Sequence, residues 1–535
     1  MSFRYAIDSV AYRDGLVYGW GWYLHDAAPA RRITLELLGN DGVISCVRCG
    51  IDRTREDVAH VFTLVSHATS SGIIFQGKIP RNFEGKVLLK VELANGELLE
   101  HDVAGFPQSY TGETFEVRVV GGQLRRGLRH LRAGRWSVIV DRLRRITTEA
   151  GKSFFSMAEK KMQVQSGEPF VLVIDHQLGG GANKFSLDKL EALKSEGRAV
   201  AYLRFNLPRL QYELSCQKDG TSDNQVFLDL ASALGAIAQL NIAEIIVNNL
   251  VSYPEPRHIL EWARSIKSSK KCTLRFYLHD FFAVCPTWTL INANGVFCQL
   301  PKPDVCRQCL AAMPAYFPSF IDDTDIAAWR RPWSEFIDEC DDVVAFSQST
   351  LDLYARAFPD STGLKKARVE PHRLNGPALA KVEPRLDGIL TIAVIGNISV
   401  QKGARIVKEM ARLIMQNHLD ARIVILGSLD EMEPSPCLEV LGPYQTHKLP
   451  ELLARENTSV CLLPSICPET FSYATSEIMQ MQLPVAVFDL GAPAERVRNY
   501  ADGVIIDTLT AEAALAAIFK LRDQLAERRI EHFSK

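Results

Sequence analysis

The sequence predicts an α/β protein with two doubly wound parallel-sheet domains, preceded by a small all-β domain and a basic helical linker. Short alternating segments, separated by Asp-Gly and Asn-Gly turns, fill the first part of the chain. Apolar strands then alternate with amphipathic, helix-length stretches in two successive series, which begin near residues 169 and 391. Such alternation gives parallel sheets with right-handed crossovers, so we expect two domains that face each other across a cleft.

Four segments follow from these patterns. We expect residues 1–106 to form a small β-sandwich that binds a glycan or a partner protein, although its aromatic strand face fits a core role equally well. Residues 107–168 form the basic helical linker. Residues 169–375 form the first parallel-sheet domain, and residues 376–535 form the second.

The composition is that of a multidomain globular protein. The chain has 535 residues, of which 47% are hydrophobic and 23% are charged, and this length is too great for one core. The net charge of -2 argues against a nucleic-acid partner. The chain has no apolar run of about 20 residues that would span a bilayer, and its start lacks the apolar core of a signal peptide. We therefore expect a cytoplasmic protein, whose 12 cysteines are thiols or metal ligands.

Two glutamates flank a strand-to-helix corner in the second parallel-sheet domain. Glu469 and Glu477 belong to the segment PETFSYATSE, and ligands of open α/β sheets bind at such corners. The Glu469 carboxylate can accept hydrogen bonds from vicinal hydroxyls, and Glu477 can bind a second diol such as a ribose. Either acid alone would also suit an ordinary helix start. Backbone amides at the same helix start would point into the pocket. They belong to Phe471, Ser472 and Tyr473.

A glycine-containing turn follows the first strand of each parallel-sheet domain. The segment GNISVQKG runs from Gly396 to Gly403, and its Lys402 would supply a cation beside a helix N-terminus, where anions bind. The segment LGGGANKF would let a phosphate or a sugar approach the backbone closely, and its glycines are Gly179, Gly180 and Gly181. Each turn alone also fits an ordinary strand-to-helix connection, so neither is specific by itself.

Several of these segments resemble a known enzyme family. The segment PSICPETFSYATSEIMQMQLPVAVFDLGAPAE resembles the E-x7-E block of retaining glycosyltransferases of family 4, which have the GT-B fold of two Rossmann-like domains. The segment VIGNISVQKG resembles the G-x-x-x-x-x-K-G turn of that family. GGGAN and HDFFAVCP are similar to loops of its acceptor-side domain. The resemblance spans about residues 169–520 and is strongest in the C-terminal part.

The resemblance implies a role for each matching residue. Glu469 would hold hydroxyls of the donor sugar and Glu477 the ribose, while Lys402 would neutralise the diphosphate as the leaving group gains charge. His279 would approach the donor sugar from the other domain, although a core or helix-capping role is the alternative. The catalytic set is therefore Glu469, His279 and Lys402, with no metal required for transfer. The remaining donor-binding residues are Gly179, Gly180, Gly181, Gly396, Asn397, Phe471, Ser472, Tyr473 and Glu477.

One position departs from the family pattern. An arginine usually follows the first glycine of the lysine-containing turn, whereas this chain has Asn397, Ile398 and Ser399 there. Either Arg373 or Arg405 could compensate, or the positive charge at the diphosphate is weaker than in the family.

A second constellation consists of four cysteines after the HD segment. Cys285, Cys298, Cys306 and Cys309 lie within 25 positions, and the last two form a C-x2-C pair. Four thiolates at this spacing suit a tetrahedral zinc site, and buried thiols are the alternative. A zinc ion here would fold the long loop that carries the ligands.

The linker has the composition of a helix that contacts membranes. Between Gly121 and Gln163 there are eight arginines and three lysines. An apolar face around Trp136 and a basic face opposite it are typical of a helix on an anionic membrane surface. A linker helix packed against the rest of the protein is the alternative.

The resemblance and the residues together imply a retaining hexosyltransferase. It would move a sugar from a nucleotide-diphosphate donor to a glycan or lipid-linked glycan acceptor in O-antigen-like or capsule-like polysaccharide biosynthesis. The alternatives are a sugar-nucleotide epimerase of GT-B fold and a non-catalytic, lectin-like assembly subunit. We expect the protein in the cytoplasm and peripherally on the inner face of the cell membrane.

Overall fold

The computed structural model describes residues 3–53, 55–118, 169–313, 319–374, 376–430 and 435–533. The helix expected between residues 121 and 163 lies outside these described residues, and so does the membrane contact that rests on it. None of the helices in the described ranges is both long enough and apolar enough to cross a membrane.

The first domain is antiparallel, as the alternating sequence predicts. Its strands are β1 (Phe3–Arg13), β2 (Leu16–His25), β3 (Ala30–Gly39), β4 (Gly42–Arg53), β5 (Gly72–Lys78), β6 (Phe83–Glu84), β7 (Lys86–Leu93), β8 (Leu98–Asp102), β9 (Ser109–Tyr110) and β10 (Thr114–Arg118). A short helix, α1 (Glu56–Ala59), lies between β4 and β5.

The first domain differs from the expected sandwich in how its strands are grouped. Eight strands form one continuous sheet in the order β10-β1-β2-β5-β4-β3-β7-β8, with a separate ribbon of β6 and β9. Tight hairpins keep consecutive strands adjacent in the same sheet, whereas a sandwich needs connections that cross between two sheets. Strand β10 pairs with β1, so the domain continues past the expected boundary at residue 106.

The second domain contains a mostly parallel sheet. Its strands are β11 (Phe170–Asp175), β12 (Ala199–Asn206), β13 (Gln211–Lys218), β14 (Thr221–Phe227), β15 (Ile242–Val247), β16 (Thr273–Tyr277), β17 (Asp342–Ala345) and β18 (Arg368–Val369). Its helices are α2 (Gly180–Ser195), α3 (Leu230–Ala238), α4 (Pro256–Lys270), α5 (Pro303–Ala312), α6 (Ile326–Glu339) and α7 (Gln348–Ala357). The order is β14-β13-β12-β11-β15-β16-β17-β18, and only the pairs that involve β13 are antiparallel.

The third domain contains a fully parallel sheet. Its strands are β19 (Leu390–Ile398), β20 (Ala421–Leu429), β21 (Leu438–Gly442), β22 (Val460–Leu463), β23 (Val485–Phe488) and β24 (Gly503–Ile506). Its helices are α8 (Ala404–Gln416), α9 (Leu449–Arg455), α10 (Tyr473–Gln480), α11 (Gly491–Val497) and α12 (Ala511–Phe533). The order β21-β20-β19-β22-β23-β24 is that of a doubly wound dinucleotide-binding sheet. The prediction of two parallel-sheet domains is confirmed, and they form the GT-B fold.

Burial explains why the two parallel sheets could be recognised in the sequence. All six residues of β11 are buried, because helices cover both faces of a parallel sheet. Helix α8 buries one stripe, at Val407, Met410, Ala411 and Ile414, whose spacing is that of an amphipathic helix.

The strand order places both glycine turns where ligands bind. It reverses between β11 and β15 in the second domain, and between β19 and β22 in the third. Gly179 follows β11, and the turn from Gly396 to Gly403 lies at the end of β19. Crevices at such reversals are the usual ligand sites of doubly wound sheets.

The first domain packs against the second. Ala11 and Tyr18 belong to the apolar cluster formed by the core of the second domain. The Arg48 guanidinium donates hydrogen bonds to the carbonyls of Ala311 (2.8 Å) and Met313 (2.5 Å), at the end of α5. The β domain therefore supports the part of the second domain that follows the four cysteines.

Candidate active site

The segment with the two glutamates connects the second and third domains. The Thr470 hydroxyl donates a hydrogen bond to the carbonyl of His279 (2.7 Å), which follows β16 in the second domain. The Phe471 side chain is 4% exposed and belongs to an apolar cluster of the second domain, although it is part of the third. Glu469 and Glu477 are therefore held at the junction of the two domains.

Glu469 lies in the loop before α10, and contacts with neighbouring segments hold the backbone of this loop. Its carbonyl accepts a hydrogen bond from the amide of Ala492 (2.8 Å), and its carboxylate accepts one from the Ser465 hydroxyl. Gly491 has φ +60°, and a Cβ there would lie 2.6 Å from the Glu469 nitrogen and oxygen. The start of α11 thus holds the loop, while the Glu469 side chain stays partly exposed.

Backbone donors are available beside Glu469. Neither the Phe471 amide nor the Ser472 amide donates a hydrogen bond within the described part of the chain. Ser472 precedes α10 with φ +76°, a left-handed conformation that non-glycine residues adopt only where the surrounding structure imposes it. Amides at a helix start have no intrahelical partner and can bind an acceptor oxygen of a ligand.

Glu477 is a buried acid rather than a solvated helix-start acid. Glu477 is only 5% exposed. Burial raises the pKa of the Glu477 carboxyl, and Lys184 of α2 opposes that rise. A cation from the second domain thus acts on an acid of the third.

Lys402 and Glu469 converge on one thiol. Burial raises the pKa of Cys467 to about 12, Glu469 adds to the rise, and Lys402 opposes it. The lysine turn also packs directly on the loop after β22. A Cβ on Gly403, at φ +86°, would lie 2.0 Å from the carbonyl oxygen of Pro464. The lysine turn and the loop that leads to Glu469 are therefore in direct contact.

The position of the missing arginine is neutral and exposed. Asn397 accepts a hydrogen bond from the Ser428 hydroxyl (3.1 Å) through its Oδ1. Gly396 precedes it with φ +120°. Two arginines could replace the missing positive charge. Arg405 already interacts with another group, and Arg373 is exposed.

His279 is held in one tautomer by a chain of hydrogen bonds. The Asn248 amide nitrogen donates to the Asp175 carboxylate (2.9 Å), so the Asn248 oxygen faces His279 Nε2 at 2.8 Å. That oxygen can only accept, which assigns the proton to Nε2 and leaves Nδ1 as an acceptor. The ring also stacks on Phe346, with centroids 4.4 Å apart.

The histidines of the junction are neutral. Burial lowers the pKa of His279 well below its usual value, and repulsion from His372 and His176 adds to this effect. Burial lowers the pKa of His372 to about 3. His372 Nδ1 lies 2.9 Å from the Tyr473 hydroxyl, and its ring stacks on Phe471 at 4.4 Å. Sequence reasoning therefore missed a residue that contacts the glutamate segment directly.

The glycine turn of the second domain faces open space. Gly179 and Gly180 have φ of +78° and +81°, and a Cβ at either would meet no atom within 4 Å. A Cβ at Gly181 would lie 3.3 Å from the Tyr473 ring. The start of α2 thus packs on the start of α10, and the turn before it leaves room for a ligand.

Two further residues of the site were missed, although the sequence contained a signal for each. Asn248 directly follows the buried strand β15, and a polar residue at the carboxyl end of a parallel strand is a site candidate. Lys184 lies in the same quoted segment as the three glycines. His372, in contrast, lies in a connection with no recognisable motif.

The four predicted zinc ligands are neighbours in the second domain. Burial raises the pKa of Cys285 to about 11, and Cys298 and Cys306 add to the rise. Cys309 accepts a hydrogen bond through its sulfur from the Ala293 amide (3.3 Å). However, across the described ranges no three His, Cys, Asp or Glu side chains are arranged to hold a metal ion. The zinc site stays a prediction.

Comparison with known proteins agrees with this geometry. Residues 390–524 match the family model described as "Glycosyl transferases group 1", and the match includes all six strands of the third domain. No curated protein matches the chain. The third domain is thus similar to group 1 glycosyltransferases, and the chain is a glycosyltransferase.

Solved structures resemble the chain at low identity. Sucrose-phosphate synthase from Thermosynechococcus elongatus is 13% identical, with 69% of this chain and 100% of that chain covered and a TM-score of 0.43. HepE from Anabaena in complex with UDP and glucose is 14% identical, with 67% and 98% covered and a TM-score of 0.39. The lipopolysaccharide outer core galactosyltransferase WaaB is 10% identical, with 66% and 90% covered and a TM-score of 0.41.

Proposed function

We propose that the junction of the second and third domains transfers a hexose from a nucleotide-diphosphate sugar to a glycan or lipid-linked glycan, with retention of configuration. The observation that carries this proposal is the convergence of three groups. The turn that carries Lys402 packs on Pro464, at the start of the loop that leads to Glu469. The carbonyl of His279 accepts a hydrogen bond from the hydroxyl of Thr470, the residue after Glu469.

Each group has a task that follows from its chemistry. Glu469 accepts hydrogen bonds from hydroxyls of the donor sugar, and the free amides of Phe471 and Ser472 bind its oxygens. Lys402 stabilises the charge that develops on the diphosphate as the glycosidic bond breaks. His279 accepts a hydrogen bond from a sugar hydroxyl at Nδ1, because its Nε2 already donates a hydrogen bond to the Asn248 oxygen. We assign no general base and propose that transfer needs no metal ion.

Glu477 completes the donor site in this proposal. A buried carboxylate can accept hydrogen bonds from both hydroxyls of a ribose, which would replace the water that burial removes. The glycine turn from Gly179 to Gly181 would border the diphosphate, since its backbone faces open space.

The basic linker bears on the acceptor and the pathway. We infer a polysaccharide pathway in the cytoplasm, at the inner face of the cell membrane, because the basic linker suits an anionic surface next to a lipid-linked acceptor. A nucleic-acid partner is not part of the proposal.

A binding screen tests the donor site. Purified protein is heated with UDP, ADP and GDP and with the matching nucleotide-glucoses. The correct nucleotide should stabilise the native state by about 2.7 kcal/mol at a hundredfold excess over Kd. Glu477→Gln should weaken binding of the nucleotide, and Glu469→Gln should remove only the additional affinity contributed by the sugar.

The control is Glu451→Gln in the same domain. Glu451 is exposed and forms a surface ion pair with Lys448. This variant should bind like the wild-type protein. Failure of every nucleotide to stabilise the wild-type protein, or unchanged binding by Glu477→Gln, would contradict the proposed function.

A further inference from the structure

Glu477 is an acid without a hydrogen-bonded counterpart. It is more than nine-tenths buried, and no group within the described ranges donates a hydrogen bond to its carboxylate. A buried carboxylate without a partner tends to take up a proton. In that form it carries a donor of its own and can no longer accept hydrogen bonds at both oxygens from a diol. A cation beside Glu477 favours the charged form, which accepts hydrogen bonds at both oxygens.

Three titratable groups of the described residues interact electrostatically with Glu477. They are Lys184 of α2, Tyr444 in the connection after β21, and Tyr473 of α10. Burial raises the pKa of Tyr444 to about 12, and burial also raises the pKa of Tyr473. Both tyrosines are therefore neutral at working pH, and within the described part of the chain Lys184 is the cation that acts on Glu477.

The position of Lys184 is set by contacts between the two domains. Its ammonium nitrogen lies 4.5 Å from the centre of the Tyr473 ring, a cation–π contact. One turn earlier, the backbone at Gly181 packs against the same ring. Lys184 is thus brought to Tyr473, one turn before Glu477, only when α2 of the second domain and α10 of the third are packed together.

We propose that Lys184 is a nucleotide-positioning residue supplied across the domain junction, which places a cation on Tyr473, one helical turn from the ribose-binding acid Glu477. The inference rests on the ribose role proposed above for Glu477. It adds a specificity residue from the opposite domain, so ribose recognition requires the two domains to be packed as they are here.

The test uses Lys184→Met, which removes the charge and keeps most of the side-chain volume. Isothermal titration measures Kd for UDP and for 2′,3′-dideoxy-UDP between pH 6 and pH 9, or for the ADP or GDP pair if the screen selects one of those. The wild-type protein should bind the dideoxy nucleotide at least about tenfold more weakly, because hydrogen bonds to a charged group are lost.

In Lys184→Met this ratio should be smaller than in the wild-type protein at the acid end of this pH range and should approach the wild-type ratio as the pH rises. The sign follows from the electrostatics. Lys184 lowers the pKa of Glu477, so its loss raises that pKa, and the carboxylate is then protonated at higher pH than in the wild-type protein. Lys184→Arg should restore the wild-type ratio, because it restores the charge.

The matched control is Lys194→Met in the same helix. Lys194 is exposed and bonded to Glu191 at the surface (2.7 Å), so this variant should keep the wild-type ratio at every pH. A wild-type ratio and pH profile in Lys184→Met would overturn the inference while leaving the donor site in place. The absence of a dideoxy penalty in the wild-type protein would instead overturn the ribose role of Glu477, and with it that part of the proposed function.

Discussion

Replacement of Gly403 by alanine should both destabilise the third domain and weaken nucleotide binding. Gly403 ends the turn that carries Lys402, at φ +86°. A β-carbon there would lie 2.0 Å from the carbonyl oxygen of Pro464 and 2.9 Å from its Cβ. Because contacts this short cannot exist, the turn must move away from the loop that leads to Glu469.

The magnitude has two parts. A left-handed conformation costs a non-glycine residue about 1–2 kcal/mol. Displacement of packed backbone adds about 1–3 kcal/mol, as overpacking does elsewhere. Gly403→Ala should therefore lower the free energy of unfolding by about 2–5 kcal/mol.

Gly442→Ala is the matched control, because it has nearly the same φ (+84°) in the same domain but no atom within 4 Å of the added Cβ. Urea unfolding should show only the conformational cost of about 1–2 kcal/mol there. Nucleotide titration should show weaker binding in Gly403→Ala alone. Equal losses in the two variants, with equal nucleotide affinity, would refute the packing of the lysine turn against Pro464.

Two further predictions concern parts of the chain outside the donor site. Freshly purified protein should contain one zinc ion per chain by elemental analysis, and Cys306→Ser should lose it; metal-free wild-type protein with a normal melting temperature would argue for plain buried thiols. The protein should float with anionic liposomes at low salt and be released at high salt, because about 1 kcal/mol of attraction per basic residue is screened. A version without residues 121–163 should not float, and flotation that survives this deletion would exclude the linker as the membrane contact.

The alternation of strands and helices could be predicted because burial controls it locally. A strand such as β11, buried on both faces, is a continuous apolar run, and a helix such as α8 repeats its apolar residues every three or four positions. The loops that carry Glu469 and Lys402 could also be located, since they follow the buried strands β22 and β19. The hairpin of β13 and β14 was missed, although Asp219 and Gly220 both have positive φ and form a standard hairpin signal.

Long-range partners could not be predicted in this way. Tyr473 and His372 are 101 positions apart, and nothing in either segment specifies the other. Lys184 and Glu477 come from different domains, so their proximity depends on how those domains pack. The single sheet of the first domain is a similar case, because alternation shows that strands have two different faces but not which strands share a sheet.

Release of nucleoside diphosphate from the donor chosen by the screen reports whether Glu469 and Lys402 serve one transfer reaction at the domain junction. Wild-type protein should release nucleotide in the presence of acceptor. Glu469→Gln and Lys402→Met should each lower kcat by about 10²-fold or more while keeping the melting temperature, because each removes charge or hydrogen bonding at the reacting centre. Wild-type turnover in both folded variants would contradict the account.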